Sequence, residues 1–201
     1  MAGSGSAPRV GVLALQGDVR EHAAVLTGLG ADVRLVRRPE ELAAVGGLVI
    51  PGGESTVIDK LSRIFGMQNP IRDAIRDGMP VLGTCAGLIM LADRLVDAID
   101  GQKSFGGLDV TVRRNAFGRQ VESFEARLDV PALGPEPVHA AFIRGPVIEN
   151  VGPAASVLAA LDDGRVVAVE QGDLIGLSFH PEITGETRFH ERFLSRVSER
   201  G

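Results

Sequence analysis

The strongest constraint on the fold is a rhythm in the first half of the chain, where short apolar runs alternate with stretches of helical spacing. RVGVLAL (Arg9–Leu15) is short and nearly unbroken in apolar character, as expected of a strand buried on both faces. ADVRLV (31–36), GGLVI (46–50) and MPVLGT (79–84) repeat that strand signal. After the first run, Asp18 is placed to cap a helix, Val19, Ala23 and Leu26 follow at helical spacing, and Gly28 and Gly30 end it. Pro39 opens a second, short helix. Further helical stretches run from the PGGEST loop (51–56) to about Phe65, from Asn69 to Asp77, and from Ala86 to Leu95. A β-α-β-α order implies a parallel sheet covered by helices on both faces, a three-layer α/β architecture. Ligands of such sheets bind at the carboxyl ends of the strands. Three loops meet there: LQGD (15–18), PGGES (51–55) and GTCAG (83–87).

The second half reads differently. LDVTVRR, QVESFEARL, VHAAFIR, SVLAAL, RVVAVEQ and LIGLSFH are short alternating runs, with hairpin signals at Asp162–Gly164 and Gln171–Asp173. They predict antiparallel strands that extend or flank the sheet, before a closing amphipathic helix in TGETRFHERFLSRV. No linker interrupts residues 9–201, which read as one domain behind a flexible tail, residues 1–8. A length of 201 residues with 44% hydrophobic composition suits one domain with a sizeable core. The net charge of −5, without a Lys/Arg block, argues against nucleic acid as the main partner. The start has no apolar core of a signal peptide, and no run is long enough to cross a bilayer. One cysteine allows no internal disulfide and no cysteine-rich metal site, which fits a reducing cytoplasm.

That cysteine, Cys85, stands between Gly83 and Gly87 where a strand gives way to a helix. Strand, Gly-x-Cys-x-Gly, helix is a nucleophile elbow with a thiol in place of the hydroxyl. A sharp turn aims the sulfur out of the sheet edge, and the small glycines keep the backbone from colliding with itself or a substrate. The free amides and dipole of the new helix favour thiolate, and the Ala86 amide is placed to donate to an oxyanion. A buried, inert thiol is the ordinary alternative, and a partner base decides between them. Of the four histidines, His22 and His190 sit in helices beside charged residues and read as solvated, while His139 precedes an apolar strand. His180 differs: GLSFHPEIT ends an apolar strand and gives His-Pro-Glu at once. In extended chain, residues two apart share a face, so Glu182 can orient His180, and Pro181 biases His180 toward that geometry. Cys85, His180 and Glu182 form a nucleophile, base and orienter set. Adjacent glycines in PGGES allow close approach to a ligand and could complete an oxyanion hole; neither nucleotide-binding glycine signature occurs.

PGGES, GTCAGL and FHPE, in that order, resemble the class I, triad-type glutamine amidotransferases. LALQGDVREH, RNAFGRQVESFEA and AFIRGPVIE narrow the resemblance to the glutaminase subunits of pyridoxal 5′-phosphate synthase, from about Val10 to about Phe193. The resemblance implies hydrolysis of L-glutamine to glutamate and ammonia, with the ammonia passed to a separate synthase subunit in a hetero-oligomer. It implies no cofactor and no metal. It carries the triad onto Cys85, His180 and Glu182, and glutamine contacts onto Gly53, Glu54, Ser55, Arg114, Ile143 and Arg144. It assigns the oxyanion hole to Gly53 and Ala86 and makes Gln16 a contact to the synthase or an aid to that hole. A glutaminase serving another synthase, and a non-enzymatic cysteine sensor on the same scaffold, are the competing readings.

Overall fold

The computed structural model describes residues 7–114 and 123–200. In chain order its elements are β1 (Arg9–Leu13), α1 (Val19–Gly28), β2 (Asp32–Val36), α2 (Pro39–Leu42), β3 (Leu48–Ile50), α3 (Ser55–Ile64), α4 (Gln68–Arg76), β4 (Val81–Thr84), α5 (Ala86–Leu91), β5 (Ala92–Val96), β6 (Leu108–Arg113), β7 (Ser123–Leu128), β8 (Val138–Ile143), β9 (Val147–Val151), β10 (Ser156–Ala160), β11 (Val166–Gln171), β12 (Leu174–Leu177), α6 (Pro181–Thr184) and α7 (Arg188–Arg200). Six residues of the expected N-terminal tail and residues 115–122, which carry most of RNAFGRQ, lie outside the described residues.

Among the described residues, ten strands form one sheet in the order β2-β1-β3-β4-β12-β11-β9-β6-β5, with β10 alongside β11. β1 pairs in parallel with β2 and β3, and β3 with β4, as the alternating rhythm requires. β12 then lies against the other side of β4, also parallel, with Leu177 opposite Thr84. This one ladder ends both strands at the same sheet edge, so Cys85 and His180 arrive there together. Beyond β12 the sheet turns antiparallel through β11 and β9 to β6. The two hairpins predicted at Asp162–Gly164 and Gln171–Asp173 join β10 to β11 and β11 to β12. β7 and β8 form a separate antiparallel hairpin.

Strand alternation divides the core in two. Leu13, Leu48, Ile50 and Val81 point to one face, where Ile58 of α3, Ile71 of α4 and Leu88 and Met90 of α5 pack. Val10, Val12, Val49 and Leu82 point to the other, against Leu26 of α1 and Phe189, Phe193 and Val197 of α7. A run of rings ties the β7–β8 hairpin to this second face. Phe124 stacks on Phe142 at 4.5 Å, and Phe142–Phe179 and Phe179–Phe189 follow at 5.5 Å each. Burying each of Phe142, Phe179 and Phe189 contributes ~1.5–3 kcal/mol, and Phe179 immediately precedes His180. None of the described helices is long and apolar enough to cross a membrane.

Three elements differ from expectation, one of them α6, which replaces the extended chain expected after His180. The helix from Ala86 stops at Leu91, and Ala92–Val96 is the strand β5. The switch is tertiary: β5 pairs in parallel with β6, and Arg94 reaches Thr111 Oγ1 at 2.9 Å and Asp109 at 2.8 Å across the ladder. β9 is the third: its exposed Glu149 and Asn150 leave too brief an apolar alternation to announce a strand.

Candidate active site

Cys85 takes φ 50° and ψ −103°, a strained conformation for a residue with a β-carbon, at the junction of β4 and α5. The turn therefore falls on the cysteine itself; neither flanking glycine adopts positive φ. The glycines serve close packing instead. A β-carbon on Gly83 would lie 2.6 Å from the Gly87 carbonyl carbon and oxygen, and one on Gly87 would lie 2.0 Å from the Ile50 carbonyl oxygen. Their absence lets α5 rest on the backbones of β3 and β4. The Cys85 amide donates to the Leu177 carbonyl at 2.7 Å, locking the elbow to β12. The sulfur lies 3.9 Å from the carbonyl oxygen of Ile143, and Ala86 opens α5 beside it.

His180 is fixed from two sides. Its amide donates to the Ala141 carbonyl of β8 at 2.9 Å, and its ring Nδ1 lies 2.7 Å from Glu182 Oε1. Pro181 does not extend the strand as expected; it occupies the first position of α6, with His180 as the N-cap residue. The pair meets all the same, because the first turn folds Glu182 back beneath the imidazole. Asp18 Oδ2 is a second carboxylate at 3.4 Å from the same Nδ1. Asp18 is the cap residue of α1 by position, yet its side chain makes no capping bond and faces His180. Burial opposes charging of His180, but hydrogen bonds with Asp18, Cys85 and Glu182 outweigh it and push its pKa up to about 12. The site thus favours an imidazolium next to the sulfur.

Two glycine-bearing loops interlock beside this ring. A β-carbon on Gly17 would lie 1.7 Å from the Gly52 carbonyl oxygen, and Gly17 itself has φ 103°. The Asp18 amide donates to that same carbonyl at 3.1 Å. A β-carbon on Gly52 would lie 2.4 Å from His180 Cε1, so the PGGES loop runs against the imidazole. Gln16 Oε1 accepts from the Glu54 amide at 2.7 Å, which stitches LQGD to PGGES.

Two residues past Gly52 the loop carries charge. Glu54 caps α3, accepting from Thr56, and its Oε1 also accepts from Arg114 at 3.0 Å. Gln102 accepts from Arg114 Nη1 at 2.9 Å and donates to the buried Ser55 hydroxyl at 3.0 Å. Glu54, Ser55 and Arg114 are thus one hydrogen-bonded group, and Gln102 is a member that no local motif announces. Gly53, at φ 151°, links Glu54 to the Gly52 that abuts the imidazole and packs on Gln16, while Ile143 at the end of β8 borders the sulfur and the left-handed Arg144 follows it.

Two histidines overturn the expectation of solvated helix faces. His22 and His190 are fully buried. His22 Nδ1 lies 2.9 Å from His190 Nε2, and its Nε2 lies 3.0 Å from Thr84 Oγ1 and 3.5 Å from Glu182 Oε1. Burial, then the charges of His190 and His180, hold the His22 pKa well below its ordinary value. Burial lowers His190 to about 4, against a smaller opposing pull from Glu186. His139 is exposed on β8 and pairs with Glu125 at 2.8 Å. Asp18, His180 and Glu182 together offer three donor atoms within 4.8 Å. The 2.7 Å between Nδ1 and Oε1 is a hydrogen-bond length. Two ligands at about 2.0–2.1 Å from one tetrahedral zinc would stand roughly 3.3 Å apart, so this set shares a proton rather than framing an ion.

A model of the SNO glutamine amidotransferase family matches residues 12–199. The chain is 68% identical to the pyridoxal 5′-phosphate synthase subunit PdxT of Clavibacter michiganensis subsp. michiganensis (strain NCPPB 382), covering 100% of this chain and 99% of that one. It is 66% identical to the protein of the same name from Leifsonia xyli subsp. xyli (strain CTCB07), over the full length of both. A crystal structure of a glutamine amidotransferase, 46% identical, superposes with a TM-score of 0.87 over 94% of this chain and 98% of that one.

Proposed function

The chain belongs to the SNO glutamine amidotransferase family, and from that premise we propose that it hydrolyses L-glutamine to L-glutamate and ammonia and delivers the ammonia to a separate synthase subunit that makes pyridoxal 5′-phosphate. Residues 9–201 act as one glutaminase domain. The observation that carries this reading is the elbow thiol of Cys85 interacting with an imidazole whose far nitrogen is held 2.7 Å from Glu182.

The chemistry follows from the geometry. An amide carbonyl is a poor electrophile, so the attacking group must be thiolate, and a protonated His180 stabilises that form. The Cys85 sulfur adds to the side-chain carbonyl carbon, and the carbonyl oxygen becomes an oxyanion. Amides of Gly53 and Ala86 receive it; removing one such donor typically costs ~10²–10³ in rate. His180 gives its proton to the departing nitrogen as the C–N bond breaks, which leaves a thioester and free ammonia. The imidazole, now neutral, takes a proton from water; the hydroxyl adds to the thioester and glutamate leaves, returning the thiolate–imidazolium pair. Glu182 keeps the ring aligned through both steps.

The Arg114–Glu54 ion pair suits the other end of the substrate. A zwitterionic α-amino acid can separate the two, its carboxylate taking the guanidinium and its ammonium the carboxylate. Ser55, Ile143 and Arg144 complete the glutamine contacts, and the partly exposed Gln16, which joins the two loops, contacts the synthase. The test is glutamate release with and without the synthase partner. Cys85→Ala abolishes turnover, and a glutamine-like chloroketone adds one covalent equivalent at Cys85 by mass spectrometry. Undiminished turnover by Cys85→Ala would reject the mechanism.

A further inference from the structure

Glu182 is the least secured member of the triad. Its Oε2 is buried without a hydrogen-bond partner, so Oε1 alone anchors the carboxylate. Oε1 lies between two imidazoles, 2.7 Å from His180 Nδ1 and 3.5 Å from His22 Nε2. A carboxylate only accepts, so His22 can hold it only with the proton on Nε2. Its Nδ1 must then accept, and His190 Nε2, 2.9 Å away, is the donor. On that assignment the His190 proton sits on Nε2, and its buried Nδ1, which makes no hydrogen bond of ordinary length, faces the Glu186 backbone as an acceptor. Thr84, the last residue of the nucleophile's strand, faces the same His22 nitrogen at 3.0 Å.

We propose that His22 is a positioning residue for glutamine hydrolysis: its Nε2–H, shared between the Thr84 hydroxyl at 3.0 Å and Glu182 Oε1 at 3.5 Å, steadies the carboxylate against His180, and His190 fixes the ring that does so. The proposal rests on the triad reading given above. His22 sits on α1 and Thr84 ends β4, so one imidazole fastens the base's orienter to the strand of the nucleophile. The other titratable groups around Glu182 leave this role to His22. Asp18, before α1, and Cys85 face His180, and His139 of β8 is turned outward to Glu125. His22 is fully buried, and burial keeps it neutral, which preserves a single proton to place.

Two polar substitutions separate positioning from packing. In His22→Gln the amide nitrogen reaches where Nε2 stood; in His22→Asn it reaches only where Nδ1 stood. Steady-state glutamate release is measured in the complex with the synthase subunit, and thermal melting of each variant is recorded. We expect His22→Asn to lower kcat ~10–100-fold, the usual cost of losing a group that orients a histidine through its carboxylate. KM should change less than about threefold, since the loss lies in the chemical step. His22→Gln should recover kcat to within about threefold of the parent, and on a Glu182→Ala background His22→Asn should cost less than about threefold, because its target is gone. Equal losses in the Gln and Asn variants, a loss confined to KM, or an undiminished loss on the Glu182→Ala background would overturn the proposal. Turnover by Cys85→Ala in the same assay would instead reject the triad reading on which it rests.

Discussion

Replacing Gly87 with alanine tests the elbow where it is least tolerant. The added β-carbon would stand 2.0 Å from the Ile50 carbonyl oxygen, whereas ordinary contact begins at 3.4 Å. Either α5 or β3 must withdraw by about 1.4 Å, and the atom in the way is backbone at the centre of a parallel sheet. Overpacking a core costs ~1–3 kcal/mol when side chains can repack; with backbone on one side we take ~3 kcal/mol. For a chain of this length that is a fall of ~6–12 °C in melting temperature. Because α5 carries the Ala86 amide and abuts Cys85, a shift of about 1 Å also costs ~10²-fold in kcat. The assay pairs thermal melting with glutamate release in the presence of the synthase. Gly28→Ala is the internal control: an added β-carbon there meets nothing within 4 Å, and the change should stabilise by ~0.4–1 kcal/mol. A Gly87→Ala protein that melts within about 2 °C of the parent and keeps its kcat would refute the claim that α5 rests on the β3 backbone.

Other expectations follow from the same geometry. Gly52→Ala places a β-carbon 2.4 Å from His180 Cε1 and 2.9 Å from Asp18 Oδ2; side chains can yield where backbone cannot, so kcat should fall ~10²-fold with little change in melting. Arg114→Lys keeps the charge but loses the fork, and KM for glutamine should rise about tenfold, or about 1.4 kcal/mol, with kcat held. Stability should decline on both sides of neutrality, for opposite reasons. The pKa of His190 is lowered from 6.5 to about 4, so the stability of its neutral buried form is complete above 6.5 and lost as pH falls through about 4, on the order of 3 kcal/mol. The pKa of His180 is raised from 6.5 to about 12, so its contribution is complete below 6.5 and drains away as pH rises toward 12. Melting curves against pH should show the acid arm flattened in His190→Gln and the alkaline arm flattened in His180→Gln.

What could be read from the residues alone was what the chain writes locally. The elbow, the PGGES loop and His-Pro-Glu are contiguous, and each lies at the end of a strand whose apolar pattern is plain. The hidden parts depend on what packs against them. His22 follows Glu21 and His190 precedes Glu191, so their neighbours advertise solvent while the rings themselves meet in the interior. Asp18 occupies a capping position and spends its carboxylate on His180. Gly83 and Gly87 were legible as necessary for two reasons, and the structure keeps one: they spare a backbone collision where a helix lies on bare backbone, while the turn falls on Cys85. β5 continues a helical-looking stretch and becomes a strand only because β6 lies beside it.

The placement of β12 between β4 and β11 also orders events during folding. Synthesis runs from the N-terminus, and a parallel pairing between distant segments forms late. Until residues 174–180 emerge, β4 is an open edge with unpaired backbone groups, and the thiol at its tip has no base. On the proposed mechanism a partly made chain therefore carries the nucleophile without the means to activate it, and its exposed edge invites wrong partners. Closing that edge and arming the sulfur are one event. The appearance of glutaminase turnover during refolding should thus mark the moment the central sheet becomes continuous.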